Sequence, residues 1–221
     1  LEGVTAGFSE AFTRSWICFI AIQSGDLSRA AEVTDDMVAF CGRKGLAMWG
    51  GYALMYQTIC AAHRDPSPEV EATILAVIDT MAAMHVTIMS EHFVAEHARV
   101  IHALGDPGRA VDRYSEALAL ADEYTEMHEV ADILRLRGRA RLDSGEEPGA
   151  AAADFRAAAD LADRQGSVVY GIRALCDSLE LVASVIDEDH VATSLAELVD
   201  QVVTPDDYAE VARARALLLS R

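Results

Sequence analysis

A helix-breaking mark returns about every forty residues along this chain, and no other feature restricts its fold as tightly. The marks are Gly25-Asp26, Asp65-Pro66, Gly105-Asp106-Pro107 and Gly145-Glu146-Glu147-Pro148, with a weaker echo at Val185-Ile186-Asp187-Glu188. Each separates an apolar, helical-looking run from an alanine-rich one. Ala30, Val70, Ala110 and Ala150 stand five residues after the first four marks. Cys18, Thr58, Ala98, Gly138 and Ser178 fill a second recurring slot, twelve residues before the first. A fixed period of this length signals stacked repeats, none of which can bury its apolar face alone. Small residues at two fixed positions are what closely approaching helices in a pair require.

The expected fold is therefore all-α: a tetratricopeptide-like α-solenoid of about five helix pairs of ~40 residues, followed by a C-terminal helix. First helices are predicted near 8–23, 46–63, 86–103, 126–143 and 168–184, and second helices near 27–43, 67–83, 107–124, 148–165 and 189–203. The second helices carry the clearer pattern. Tyr114, Ala117, Leu118 and Ala121 follow i, i+3, i+4, i+7 spacing, as do Phe155, Ala158, Ala159 and Ala162. Pro107 and Pro148 suit first helical positions. Their separation is one residue greater than that of Gly105 and Gly145, so the fourth turn holds an insertion. Thr204 reads as the N-cap of the last helix, with Pro205 at its first position and Asp206 and Asp207 favouring the positive helix end. Loops of two to five residues would set consecutive helices antiparallel.

Continuity of the repeat makes residues 1–221 a single helical-repeat domain, and a start at Leu1 already inside a repeat reads as the C-terminal fragment of a larger protein. No apolar run is long enough to span a membrane, and no export signal opens the chain. The net charge of −18, from 36 acidic and 18 basic side chains, argues against direct nucleic-acid binding, which needs a concentrated positive footprint. Cys18, Cys41, Cys60 and Cys176 lack metal or redox spacing and read as small buried hydrophobes, reduced as in the cytoplasm.

No phosphate-cradling GxxxxGK[ST] loop, nucleophile elbow or HExxH motif occurs, so no catalytic residue, cofactor or metal is expected. His92, His97 and His102 are five apart and turn about 140° from one to the next, so they read as surface polar residues. His92 and Glu96 have the i, i+4 geometry of two metal ligands, without an evident third. The densest basic run is Arg135, Arg137, Arg139 and Arg141. At about 100° per residue, Arg135 and Arg139 fall on one side and Arg137 and Arg141 on another. Two readings stand: salt bridges to Asp132, Glu129, Asp143 or a neighbouring repeat's acids, or a guanidinium pair presented to a carboxylate or phosphate. First helices line the concave face of a helix-pair solenoid. In the forty-residue frame Phe12, Tyr52, His92, Asp132 and Ile172 form one row, and Phe19, Ile59, Arg99, Arg139 and Leu179 another. Phe12 and Phe19 also read as core. The candidate groove is Tyr52, His92, Arg99, Arg135 and Arg139.

Longer stretches carry a family resemblance. Ala39-Phe40-Cys41-Gly42-Arg43-Lys44-Gly45-Leu46-Ala47-Met48-Trp49, then Gly51-Tyr52, resembles a helix-turn-helix segment in the C-terminal tetratricopeptide-like repeat region of large bacterial signal-transduction ATPases. His128 to Gly138 resembles that region's "EAELLRLRG" helix, and Phe155-Arg156 through Gln165 its following helix. Thr204 to Asp207 with Ala212 to Leu218 resembles its last. The segment from Ala183 to Thr204 departs from it, lacking the aromatic run that usually precedes the last helix. The resemblance implies a parent with an adenylate or guanylate cyclase domain or a LuxR-type DNA-binding domain, joined through an ATPase module to these repeats. The chain itself would be a non-catalytic, cytoplasmic sensor and interaction domain. Its partner would be another protein, the neighbouring ATPase domain or a small-molecule effector. The alternative is a stand-alone oligomerisation scaffold without a ligand.

Overall fold

The computed structural model describes residues 2–125, 127–203 and 208–221, with side chains from Gly7 onward. Among the described residues the chain is all-α and without strands: eleven α-helices and one 3-10 turn, arranged as successive helix pairs. It forms two compact units, Leu1–Leu104 and Gly105–Arg221.

The first unit holds α1 (Glu2–Gln23), α2 (Leu27–Lys44), α3 (Ala47–Arg64), α4 (Pro68–Ala83) and α5 (Ser90–Ala103). Each helix packs on its successor, and α3 also meets α1 and α5. Met37, Trp49, Tyr52, Tyr56, Ile59 and Phe93 form the centre of its core.

The second unit holds α6 (Pro107–Tyr124), α7 (Val130–Asp143), α8 (Pro148–Gln165), α9 (Val168–Leu181), the 3-10 turn (Ala183–Val185), α10 (Glu188–Asp200) and α11 (Ala209–Leu219). Here α7 and the terminal α11 lie against α9, while α8 fits between α7 and α9. Leu195 and Val199 of α10 meet Val211 and Ala214 of α11 in one core with Ile172 and Leu179. Aliphatic side chains thus occupy the junction where an aromatic run was missing from the sequence.

Local chemistry sets most helix ends. Asp26, Ser67, Asp106 and Asp187 each accept a hydrogen bond from the backbone N–H three residues on, at 2.9, 3.3, 3.2 and 3.1 Å. Each such cap contributes about 1 kcal/mol. Pro68, Pro107 and Pro148 open their helices, where the missing N–H costs no hydrogen bond. Gly105 and Gly145 turn the chain with φ of 88° and 85°, a region that a side chain disfavours. The second mark works differently: Asp65 has φ −149°, and Ser67 rather than the mark itself caps α4.

Several expected boundaries shift: α1 begins at Glu2 rather than near residue 8, and α10 stops at Asp200 rather than near 203. The helix predicted from 86 begins at Ser90, because His85 and Met89 take left-handed backbone at φ 55° and 61°. That predicted from 126 begins at Val130, after Thr125 at φ 58°, and the one predicted to 184 stops at Leu181. The connections at 84–89 and 182–187 exceed the expected loop length. The proposed cap at Thr204, with Pro205, Asp206 and Asp207, lies outside the described residues.

The small slots are interior. Cys18, Ala98, Thr58 and Ser178 are buried, and a Cβ on Gly138 would lie 2.7 Å from the Phe155 ring and 3.2 Å from the Ala151 carbonyl oxygen. In the fourth repeat, however, the slot equivalent to Ala110 belongs to Ala151, which is fully buried, and not to Ala150. Ala110 and Ala151 both follow their proline by three residues, so the insertion lies in the turn and the helix keeps its phase.

Candidate functional site

The face built by α7, α9 and α11 of the second unit concentrates charge. Asp177 on α9 has no exposed surface. It accepts hydrogen bonds from Arg135 at 2.8 Å, Arg139 at 3.0 Å and Arg213 at 2.6 Å. Arg135 also donates its Nε–H to Asp132 at 2.7 Å. Arg173 pairs with Glu210, with Asp132 at 3.9 Å, and Arg213 reaches Glu180 as well. Four arginines thus meet four carboxylates, and charge balances within this network. Burial opposes the charge of Arg135, but Asp132 and Asp177 outweigh it and raise the guanidinium above its ordinary value. Burial likewise works against Arg213, and Glu180 and Asp177 raise it. Burial pushes the nearby Cys176 thiol up to about 12, so it stays protonated and inert.

The other two arginines of α7 turn away from this face, as their spacing requires. Arg137 holds Asp154 of α8 through two hydrogen bonds, at 2.9 and 2.6 Å, and Arg141 joins the same carboxylate at 2.9 Å. One α7 surface is therefore clamped to α8 and the other to α9.

Exposure divides the arginines of the Asp177 face. Arg135 and Arg173 keep 11% and 14% of their side chains exposed, whereas Arg139 keeps 41% and Arg213 32%. The last two keep part of their side chains open to solvent while anchored on a buried acid. Such an arrangement holds an anion by charge-assisted hydrogen bonds.

In the first unit, α5 is buried on every side from Glu91 to Ala98. Glu96 lies 2.9 Å from His63 Nε2 and 3.4 Å from Arg99 Nε. Burial pushes its carboxyl upward, yet Arg99, His63 and His92 hold it down at about 2. His97 lies 3.6 Å from Glu71 of α4.

The five candidate groove residues separate accordingly. Tyr52 and His92 are core: Tyr52 donates its hydroxyl to the Ile88 carbonyl at 2.7 Å, and the His92 ring packs edge-on against Phe19. Neither forms a wall open to solvent. The reading of His92 and His97 as surface histidines is corrected too, since both are buried by the packing around α5. Phe19 is core, while Phe12 remains 43% exposed against Trp49. Arg99 sits beside Glu96 with 40% of its side chain exposed. Arg135 is enclosed in ion pairs, and Arg139 stands open beside it. The structure thus brings Arg135 and Arg139 together with Asp132, and keeps them with acids of the next repeat. No group of three or more ligand-type side chains that could hold a metal occurs among the described residues, and no helix there is long and apolar enough to cross a membrane.

Sequence reasoning missed Asp177, Arg173 and Arg213. A signal existed: Asp177 lies forty residues after Arg137, between the positions equivalent to Arg135 and Arg139, and Arg213 lies forty after Arg173.

No family model matches the chain. An uncharacterized protein of Rhizobium meliloti (strain 1021) is 25% identical over 143 residues, or 65% of this chain. The chain spans 14% of that relative's length. Among solved structures, a circular tandem repeat protein with novel repeat topology and enhanced subunit contact surfaces is similar over 97% of this chain and 64% of its own, at a TM-score of 0.32 and 14% identity.

Proposed function

We propose that this chain is a non-catalytic sensor and protein-interaction region of a larger bacterial signalling ATPase, and that it engages an anionic segment of a partner or of the neighbouring ATPase domain. One observation carries the reading: Arg139 of α7 and Arg213 of α11 share the buried Asp177 while 41% and 32% of their side chains stay exposed. A carboxylate or phosphate on the incoming segment pairs with these two arginines, and its binding biases the parent between two states through differential affinity.

The test separates open from enclosed arginines. A labelled acidic peptide is titrated against the wild-type chain and two variants. Arg139→Ala with Arg213→Ala is expected to weaken binding by tenfold or more, since each charged hydrogen bond contributes about 1.5–3 kcal/mol. Arg135→Ala is expected to lower the melting temperature instead, because it strips Asp177 and Asp132 of their most enclosed partner. Unchanged peptide affinity in the double variant refutes the proposed face. For the signalling parent, an ATPase module in the same reading frame supports the sensor, while an isolated short gene supports a stand-alone scaffold.

A further inference from the structure

The second helices of the last two repeats do not close on one another. α10 is held against α9 and α11, and it approaches α9 so closely that a Cβ on Gly171 would lie 2.7 Å from Leu198 Cδ1. The connection at 182–187 and its 3-10 turn set α10 away from α8. A cleft of about 650 Å³ remains between α8 and α10, with Leu175 and Ser178 of α9 at its base. Around α9, Leu175 lies about 160° and Ser178 about 100° from Asp177, so the cleft faces away from the Asp177 cluster.

Each wall is a single helical stripe. On α8 it runs Ala152, Arg156, Ala159 and Asp163, and on α10 it runs His190, Val191, Ser194 and Leu198. The α8 stripe extends for about 16 Å at 1.5 Å per residue, or three turns. Ala159, Ile186, Val191 and Leu198 keep only part of their surface in the unit's core, so the cleft has an apolar lining. Its rim is acidic: Asp160, Asp163, Asp187 and Glu197 stand against Arg156 and His190. Asp160, Asp163 and Glu197 are exposed, whereas Asp187 spends one carboxylate oxygen capping α10.

We infer that this cleft is a second binding site, which takes an amphipathic helix of a partner with apolar residues on one face and lysines or arginines along its flanks. Two helical walls with Ala159, Val191, Leu198 and Leu175 between them accept the i, i+3, i+4, i+7 anchors of such a helix. The acidic rim pairs with cations that flank the anchors and rejects an acidic helix. The Asp177 face, by contrast, offers guanidinium groups to anions, so the two sites differ in partner chemistry as well as position.

The probe is a synthetic leucine/lysine amphipathic helix of about four turns, labelled and titrated against the full chain at physiological salt. Saturable binding is expected. Asp163→Lys with Glu197→Lys is expected to weaken it at least tenfold. Asp79→Lys with Glu123→Lys, an equal charge change at exposed positions outside the cleft, is expected to leave it unaltered. Ala159→Trp, which fills the lining and keeps every acid, is expected to block binding at any salt concentration. Circular dichroism checks that each variant folds. Absence of saturable binding overturns the inference. So does an equal loss in both charge-reversed variants, which is the mark of attraction to the net charge alone, and so does full binding by a folded Ala159→Trp chain.

Discussion

A methyl group added at Gly138 would lie 2.7 Å from one carbon of the Phe155 ring and 3.0 Å from the next, with the Ala151 carbonyl oxygen at 3.2 Å. The ring is fully buried and cannot swing clear. Gly138→Leu is therefore expected to cost about 1–3 kcal/mol through overpacking, read by chemical denaturation. Gly149 supplies the contrast. Nothing lies within 4 Å of its missing Cβ, so Gly149→Ala is expected to be neutral or to stabilise by up to about 1 kcal/mol. Equal losses at both positions would remove close packing as the reason for glycine at 138. Glu96 makes a second prediction at this scale. Its carboxyl is held at about 2, below the ordinary 4.5, so its ion pairs add stability above pH 4.5. That contribution, on the order of 3 kcal/mol, drains away as pH falls from 4.5 through about 2. Glu96→Gln is expected to flatten this limb of a melting-temperature profile. A profile still as steep in the variant assigns the acid sensitivity to other carboxylates.

Among elements, α9 is the one the second unit can least spare. It touches α7, α8, α10 and α11, and its Asp177 collects three guanidinium groups. Asp177→Ala leaves Arg135 enclosed without one of its two acids, at an expected cost of about 3–5 kcal/mol by thermal or urea unfolding. A loss below about 1 kcal/mol would show that water or Asp132 compensates the pair. Helix ends were legible wherever the signal is local. The boundaries of α6 and α8 fall where Pro107 and Pro148 open them, and Asp106 caps the first of these. They were not legible at α5. Val86 to Met89 is as apolar as any helix start, but Tyr52 holds the Ile88 carbonyl and Tyr56 donates to Met89 Sδ at 3.4 Å. Those contacts come from α3, thirty residues and more away, and local pattern does not carry them. The same division holds at the Asp177 face. Helical spacing sorted Arg135 and Arg139 from Arg137 and Arg141, because it depends on one helix. Whether Arg135 or Arg139 stays open, and that His92 is interior, depends on how repeats register against each other.

For the whole molecule, charge placement matters more than charge total. The chain carries −18, yet the four arginines of α7, with Arg173 and Arg213, are matched to acids, so the excess lies in other carboxylates. Raising the salt from about 10 to about 150 mM shortens the screening length from about 30 to about 8 Å and relieves their mutual repulsion. The buried pairs at Asp177 are screened far less. The melting temperature is therefore expected to rise by a few degrees over this range in a scanning calorimeter. A fall would mean that exposed ion pairs outweigh the repulsion.

The extra residue before α8 bears on how such a chain can change. Because Ala151 and Ala110 keep the same distance from their own prolines, α6 and α8 each take their angular setting from their own first turn and not from the repeat before. The turn behaves as an expansion joint: slack added there never reaches the bearing surfaces. One residue inserted inside α8 would instead swing everything beyond it by about 100° and carry Phe155 away from Gly138. Descendants of this sequence can thus lengthen or shorten at their turns without solving the core anew, and related chains can differ in repeat length while keeping every helix contact.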